Sequence, residues 1–323
     1  MKLFLSFILM LSFVSCNTND DNDYSGIDFR QEMRKFVTSI SNYAKGYNKD
    51  FVVVPQNGIE LVTLNGAPDG NLSTEYLTAI DGHGQEDLFY GYDNDDKPTP
   101  AGETEYLKAF LDRSKKTGNT ILVTDYCSTH TNMDDSYLKN NMSGYVSFAA
   151  DHRELDNIPG YPDPVNNENS RDISQLNEVS NFLYLINPGG FASKEDLIAA
   201  ITSSNYDLLI MDLFFNGGTE FTSGEIERLR PKANGGRRLV ICYMSIGEAE
   251  DYRYYWDDDW MKDPPSWLKK ENPDWEGNYK VEYWNKEWQS IIYGDDNSYL
   301  SKILNAGFDG VYLDIIDAYE YFE

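Results

Sequence analysis

Two aspartates stand where the closing apolar run of the sequence would otherwise continue. Asp314 and Asp317 follow the apolar run 311–313 and have isoleucines between them. An ionised carboxylate is strongly disfavoured in an apolar setting unless it is paired or hydrogen-bonded, so acids at the end of a core strand usually face a polar site. A pair of carboxyl groups, one protonated and one ionised, can protonate a leaving group and stabilise or attack the carbon that it leaves. We therefore expect acid-based hydrolytic chemistry near these residues.

Acidic and amide residues recur where other predicted strands end. They are Gln56 and Asn57, Asp81 and Glu86, Asp125, Asp151, Asn187, Asp212, Glu248 and Glu250, and Asp314 and Asp317. One such acid is commonly a helix N-cap or an ion-pair partner, but repetition along the chain indicates a common acidic rim. Tyr243, Tyr252 and Trp256 lie beside the same strand ends. Their rings either stack on sugars or pack in the core.

Short apolar runs alternate with segments of helical periodicity. The apolar runs are 51–54, 77–80 together with 88–90, 121–123, 145–149, 182–186, 208–214, 239–246 and 311–316. The helical segments include 29–45, 104–115, 194–201, 224–229 and 297–306. Alternation predicts parallel strands joined by helices, and eight such units close into a barrel. We therefore predict an α/β fold, a single (β/α)8 TIM barrel over residues 29–323, with long insertions at 157–176 and 251–288 on the catalytic face.

The first 15 residues have the pattern of a secretion signal. Lys2 precedes the apolar run 3–14, which is shorter than the roughly 20 residues that a membrane-spanning helix needs. Ser15 and Cys16 follow, which resembles the signal of bacterial lipoproteins, where this cysteine is lipidated; plain secretion with a free Cys16 is the alternative. Residues 16–28 are then an acidic flexible tether. We expect residues 1–15 to be a lipoprotein signal peptide, and the protein to be exported to the cell envelope or surface with membrane contact only through Cys16.

The composition restricts the partners of the protein. A net charge of −27 over 323 residues excludes a general nucleic-acid binder, because phosphate neutralisation needs clustered Lys and Arg. This acidity suits a cationic substrate, or it only keeps an exported protein soluble. The three histidines, His83, His130 and His152, show no paired ligand spacing. We therefore expect no metal and no cofactor.

Six sequence blocks carry a family resemblance. They are 243–253, 272–275, 283–284 and 306–319, with companion blocks at 86–90 and 207–215. Together they resemble glycoside hydrolase family 114, and the resemblance extends over nearly the whole mature chain and is closest to the bacterial extracellular branch. It implies a TIM barrel with endo-α-1,4-polygalactosaminidase activity on a galactosamine-rich polysaccharide.

The resemblance also implies site residues. The catalytic aspartate of the family maps onto Asp314 in the Asp-Gly-Val-x-x-Asp block. The partner glutamate follows this block in fungal relatives; here Asn57 and Glu86 look like the same elements moved to the front. Glu86 is therefore the predicted partner of Asp314, with Glu250 as the alternative. The predicted substrate-binding residues are Asp212, Glu248, Glu250, Arg253, Asp317, Asn57, Asp125 and Tyr243.

The sequence thus predicts an exported glycosidase that cleaves an amino-sugar polysaccharide. Two alternatives stay open at this stage, because a fold does not establish a function. One is a non-catalytic, glycan-binding surface lipoprotein. The other is a glycosidase of different polysaccharide specificity.

Overall fold

The computed structural model describes residues 24–323, which form eight α-helices and 13 strands. Its α-helices are α1 (Phe29–Tyr47), α2 (Thr74–Ala79), α3 (Ala101–Lys116), α4 (His130–Ser143), α5 (Lys194–Thr202), α6 (Ser223–Leu229), α7 (Lys286–Ile292) and α8 (Tyr299–Ala306). Its strands are β1 (Val52–Pro55), β2 (Gly82–Glu86), β3 (Thr120–Tyr126), β4 (Val146–Ala150), β5 (Phe182–Tyr184), β6 (Leu208–Met211), β7 (Phe214–Phe215), β8 (Thr219–Glu220), β9 (Leu239–Ser245), β10 (Glu248–Glu250), β11 (Leu268–Glu271), β12 (Asn278–Val281) and β13 (Gly310–Asp314). The predicted signal peptide 1–15 and Cys16 lie outside the described residues.

Helix α1 begins at the residue that the sequence pattern predicted. The side chain of Asp28 caps it by accepting a 2.9 Å hydrogen bond from the backbone N–H of Gln31, one of the donors that a helix start leaves free. The apolar stripe that includes Met33 and Ile40 is fully buried, and the helix packs against α2 and the 3-10 helix Ile316–Tyr321. Neither α1 nor any other helix within residues 24–323 is both long and apolar enough to cross a membrane.

Eight parallel strands form two sheets. The first sheet has the order β1-β13-β9-β6-β5 and the second the order β2-β3-β4. Strands β1 and β2 meet through a single bridge between Gln56 and Gly84, where the Asn57 N–H donates to the Gly84 carbonyl at 2.9 Å. Strands β4 and β5 pack through Phe148 and Phe182, whose ring centroids are 5.7 Å apart. The parallel α/β architecture is confirmed, whereas closure of the two sheets into one barrel stays a prediction.

The strands that carry the candidate acids end at one edge. Pro55, the last residue of β1, pairs with Leu313, and Ser245, the last residue of β9, pairs with Asp314. Because parallel strands in register end together, Gln56 and Asp314 emerge side by side. Residues from opposite ends of the sequence are thereby brought to the same place.

The predicted second β-region was wrong in its position. Residues 77–80 belong largely to α2, and the strand is Gly82–Glu86, which lies between the two apolar runs. Its sequence, Gly-His-Gly-Gln-Glu, has no apolar side chain because the interior here is filled from another strand. A Cβ added to Gly84 would lie 2.1 Å from the Tyr312 hydroxyl oxygen.

The two long insertions differ in where they lie. Residues 251–288 follow β10 and form much of the antiparallel sheet β10-β12-β11, whose aromatic cover includes Trp256, Trp260 and Trp267. This insertion stands at the carboxyl ends of the strands, as predicted. The insertion 157–176 runs to the opposite edge, where the Ile173 N–H bonds to the Arg237 carbonyl just before β9 begins. The prediction that both lie on one face was therefore wrong for the second half of 157–176, since that segment leads to the start of β5.

Replacement of Gly84 by Ala tests the close packing under the site. The new methyl group would overlap the Tyr312 ring, so we expect Gly84→Ala to lower the free energy of unfolding by about 1–3 kcal/mol. Gly102→Ala is the matched control, because a Cβ at that position in α3 meets open space. Urea denaturation of both variants measures the difference. Equal denaturation midpoints for the two would contradict the packing described.

Candidate active site

One side-chain amide joins the two predicted acids. Gln56 Nε2 donates to Glu86 Oε2 at 2.8 Å and to Asp314 Oδ1 at 3.1 Å. The two accepting oxygens are therefore no more than about 6 Å apart. The Tyr184 hydroxyl donates to Gln56 Oε1 at 3.1 Å, which fixes the amide with its nitrogen toward the acids. Glu86 and Asp314 thus share one donor at the edge where β1, β2 and β13 end.

The Glu86 carboxylate is surrounded by donors. Asn57 Nδ2 donates to Oε2 at 3.0 Å, and the Tyr126 hydroxyl makes a short hydrogen bond to Oε1. Asn57 also accepts the Glu86 backbone N–H at 3.1 Å through its Oδ1. Asn57 has a positive φ of 58°, a conformation that Asn tolerates better than most residues and that turns its side chain back onto Glu86. This is the arrangement that an ionised carboxylate requires.

Arg153 supports Glu86 from behind Tyr126. Its guanidinium lies 3.9 Å from the centroid of the Tyr126 ring and bonds to both Asp87 oxygens, at 2.8 and 3.1 Å. A second carboxylate, Asp95, accepts from Arg153 Nε at 2.9 Å. Burial raises the pKa of Asp87 to about 6 against the opposing effect of Arg153. The ring of Tyr126 is thereby held between a cation and the carboxylate that it serves.

Asp314 lies in a more apolar environment than Glu86 and has acidic neighbours. The Tyr243 hydroxyl donates to its Oδ2 at 2.6 Å. Burial, and next the charge of Glu86, raise the pKa of Asp314 to about 7. The nearby Asp317 has its pKa raised to about 8, by burial first and then by Asp314. Both carboxyl groups are only half-buried, so they can meet a ligand.

The alternative partner, Glu250, is engaged elsewhere. Arg253 binds it through Nε at 2.6 Å and Nη2 at 3.3 Å, and the Tyr252 hydroxyl donates to it at 2.6 Å. Arg253 Nη1 also binds Asp212 at 2.7 Å. All three members of this network are buried, and Glu250 contributes to the raised pKa of Asp314 through its charge. Asp212, Glu250 and Arg253 therefore form a buried ion-pair cluster beside the acid pair.

Two predicted binding residues have structural contacts instead. Glu248 accepts from Asn272 at 2.8 Å, Asn278 at 3.2 Å and the Tyr321 hydroxyl at 2.6 Å, which ties the insertion to the end of the chain. Asp125 is fully buried and accepts four hydrogen bonds. The donors are the backbone N–H groups of Phe89 and Tyr90 and the side chains of Ser136 and Asn140. Asp125 therefore lies apart from the acid pair. Its oxygens are fully used in hydrogen bonds that hold the loop after β2.

Several residues of the site carried only a weak signal in the sequence. Gln56 was one of many polar strand ends, and Tyr126 and Tyr184 resemble ordinary core aromatics within apolar strands. Arg153 lies in a loop after β4 with no motif around it. These residues can be identified as part of the site only because the fold brings them together at one edge of the strands. Within residues 24–323 there is no group of three or more His, Cys, Asp or Glu side chains that could hold a metal ion.

Part of the chain resembles known proteins. Residues 196–323 match the sequence model of Glycoside-hydrolase family GH114. An uncharacterised protein of Methanocaldococcus jannaschii is 42% identical over 181 residues, 55% of this chain and 49% of that protein. Uncharacterised proteins of Thermotoga maritima and Deinococcus radiodurans are 39% and 41% identical over 121 residues, 38% of this chain and 36% of each protein. The chain thus spans about half of the first relative and about a third of the other two, and Asp314 lies within the family match whereas Glu86 does not.

The raised pKa of Asp314 makes stability depend on pH. The folded state holds this proton up to about pH 7, whereas an unfolded chain releases it near pH 4, so stability falls as the pH rises between these values. We expect Asp314→Asn to be more stable than the unmodified protein at pH 8 and to match it at pH 4. The expected gain at pH 8 is only about 1–2 kcal/mol, because water reaches the carboxyl and weakens the effect. Asp259→Asn removes an exposed charge and is the control. Denaturation midpoints at both pH values measure this; a gain as large at pH 4 as at pH 8 would count against it.

Proposed function

Residues 196–323 belong to glycoside hydrolase family GH114, and on this premise we propose that the protein is a glycosidase in which Asp314 and Glu86 cleave the glycosidic bond. The observation that carries the proposal is the Gln56 amide, which donates to both carboxyl groups. Glycoside hydrolysis needs one carboxyl that gives a proton and one that is ionised. Two acids that share a donor in a partly buried site favour that division, because their like charges repel.

The surroundings of the two acids support different roles. Asp314 is the general acid, since its raised pKa of about 7 keeps the proton available at neutral pH. Glu86 is the nucleophile, since Gln56, Asn57 and Tyr126 all donate to it. Carboxyl groups about 5–5.5 Å apart act by double displacement with retention, and larger separations leave room for water in inverting enzymes. The upper limit of about 6 Å for the bridged oxygens favours retention.

In the proposed reaction, Glu86 attacks the anomeric carbon while Asp314 protonates the departing glycosidic oxygen. A glycosyl ester on Glu86 results. Asp314, now ionised, then takes a proton from water, and the water oxygen displaces Glu86 from the same carbon. Tyr243 steadies Asp314 in both protonation states through its 2.6 Å hydrogen bond. Glu250 is disfavoured as the second acid because Arg253 and Tyr252 occupy its oxygens.

The proposed substrate is a cationic amino-sugar polymer, an α-1,4-linked galactosamine chain cut internally. A net charge of −27 supports this, because an acidic surface attracts protonated amines. Asp317 beside Asp314 would contact the sugars, and Arg253, which lines a cavity further along the edge, would contact them there. The proposal includes closure of the two sheets into a (β/α)8 barrel, and export with a lipid on Cys16. Raised salt should weaken binding of such a polymer, whereas a neutral glycan would bind equally at all ionic strengths.

Substitution of the two acids tests the assignment. We expect Glu86→Gln and Asp314→Asn each to lower kcat by about 10²–10⁴-fold on galactosamine polymer, measured as new reducing ends. On an aryl glycoside whose phenolate leaves without protonation, Asp314→Asn should recover much of its kcat/KM, which reports the first displacement, and Glu86→Gln should not. Glu105→Gln, on the exposed face of α3, is the control. Activity retained in Glu86→Gln and lost in Glu250→Gln would overturn the pair, and binding without turnover by the unmodified protein would indicate a glycan-binding protein.

Tyr126→Phe tests the support of Glu86. Loss of this hydroxyl removes one of the donors to the nucleophile, so we expect kcat to fall roughly 10–100-fold with little change in KM. Tyr161→Phe, which loses an exposed hydrogen bond to Asp134, is the matched control. Steady-state kinetics on the polymer compares them. If KM rose and kcat stayed constant, Tyr126 would be a binding residue instead.

A further inference from the structure

A cavity of about 310 Å³ lies along the same edge of the strands as the acid pair and has no role in the proposed bond cleavage. Its walls come from two loops. The β7–β8 hairpin contributes Phe214 and Gly218, and the start of the insertion contributes Asp251, Tyr252, Trp256 and Asp258. A volume of this size is at the lower end of ordinary ligand sites, which suits a single sugar ring.

The position of the cavity links it to the acid pair. Asp314 ends β13, whose neighbour is β9, and the neighbour of β9 is β6. The two loops that form the cavity follow β6 and β9, so they stand at the same edge as Asp314, along the row of strand ends. Arg253 lines the cavity and also binds Glu250 and Asp212, the cluster next to the pair. A polymer lying along this edge could therefore reach both places.

The walls of the cavity offer aromatic faces. Tyr252 and Tyr254 are 49% and 40% exposed, although rings of this size usually bury most of their area. Trp256 is half-buried and is held by Trp260 and Tyr279, with ring centroids 5.1 and 4.9 Å away. Rigid rings with one open face bind apolar surfaces such as the underside of a pyranose at low entropic cost.

The charges around the cavity select a cation. Asp251 and Asp258 are exposed, and neither forms an ion pair with a Lys or Arg of residues 24–323. Arg253, the cation in the wall, is already neutralised by Glu250 and Asp212. Lys302, whose Nζ lies 4.6 Å from the centroid of the Tyr254 ring, is paired with Glu220 at 2.7 Å. Among the described residues around the cavity, these cations are therefore already paired, whereas an ammonium group would gain two carboxylates and the face of Trp256.

We propose that this cavity is a second sugar-binding site that holds a protonated amino-sugar unit of the substrate by ring stacking on Trp256 and by ion pairing with Asp251 and Asp258. The inference rests on the proposed function for the identity of the polymer, but not for the existence of the site. It places recognition of the amine at a distance from the acid pair, on a sugar that is not cleaved.

Binding to a protein that cannot turn over tests the site. The full chain with Glu86→Gln is titrated by calorimetry with a galactosamine oligomer and with its N-acetylated form. Trp256→Ala and Asp258→Asn, each added to Glu86→Gln, should lower the affinity for the galactosamine oligomer roughly fivefold, which is the effect expected for the loss of one exposed contact. Asp259→Asn, the adjacent acid that faces Lys262, is the matched control and should have no effect. The N-acetylated oligomer should bind more weakly and be insensitive to Asp258→Asn.

A filled cavity gives a variant that does not depend on any single contact. Gly218 needs no positive φ, and a Cβ there meets only the Phe215 carbonyl at 3.5 Å, so Gly218→Phe can place a ring in the cavity without backbone strain. This variant should lose as much affinity as Trp256→Ala. Unchanged affinity in all three cavity variants would overturn the site, while the activity of the unmodified protein on the polymer would still support the proposed function. If the cavity variants bound the oligomer more weakly but the unmodified protein did not cleave the polymer, the site would be supported and the proposed glycosidase activity would be rejected. Equal affinity for the N-acetylated oligomer would overturn the cationic ligand.

Discussion

The site depends on the repulsion between two carboxyl groups held within about 6 Å of each other on one amide. Ionising both carboxyl groups at this distance in a partly buried site is unfavourable, so one proton stays with the pair near neutral pH. Gln56 is suited to hold them because its amide nitrogen has two donors and can serve both acids at once. Tyr184 removes the freedom of the amide to turn over. The bridge therefore holds the two carboxyl groups in fixed positions relative to each other.

The register of the parallel strands places the bridge. Pro55 pairs with Leu313, and Gln56 forms the single bridge to Gly84, so β1 lies between the strands that carry Asp314 and Glu86. The acids come from near opposite ends of the sequence, and the strand between them supplies the amide. Gly84 of β2 has no side chain, and Tyr312 of β13 fills the space that a side chain there would take. Packing below the site and hydrogen bonding within it are therefore set by the same three strands.

The sequence predicted those features that repeat along it. Apolar runs and helical periodicity predicted the parallel α/β class and helices such as α1, and acids after apolar runs pointed to Asp314, whose catalytic role stays a prediction. It failed at β2, because periodicity cannot identify a strand of Gly, His and Gln whose interior is filled by Tyr312. It also assigned Asp125 to the substrate, since an acid that holds a loop and an acid that faces a ligand look alike in one dimension. The roles of Gln56, Tyr126 and Arg153 appear only once three strands and a loop are assembled.

The most direct test is to identify the residue that becomes glycosylated. The full chain is incubated with a fluorinated galactosaminyl fluoride, which slows the second displacement, and is then digested and examined by mass spectrometry. We expect one sugar attached to the peptide that contains Glu86, also in Asp314→Asn because fluoride leaves without protonation, and no label in Glu86→Gln. A label on Glu250 or Asp314, or turnover of the polymer with no covalent species at all, would contradict it.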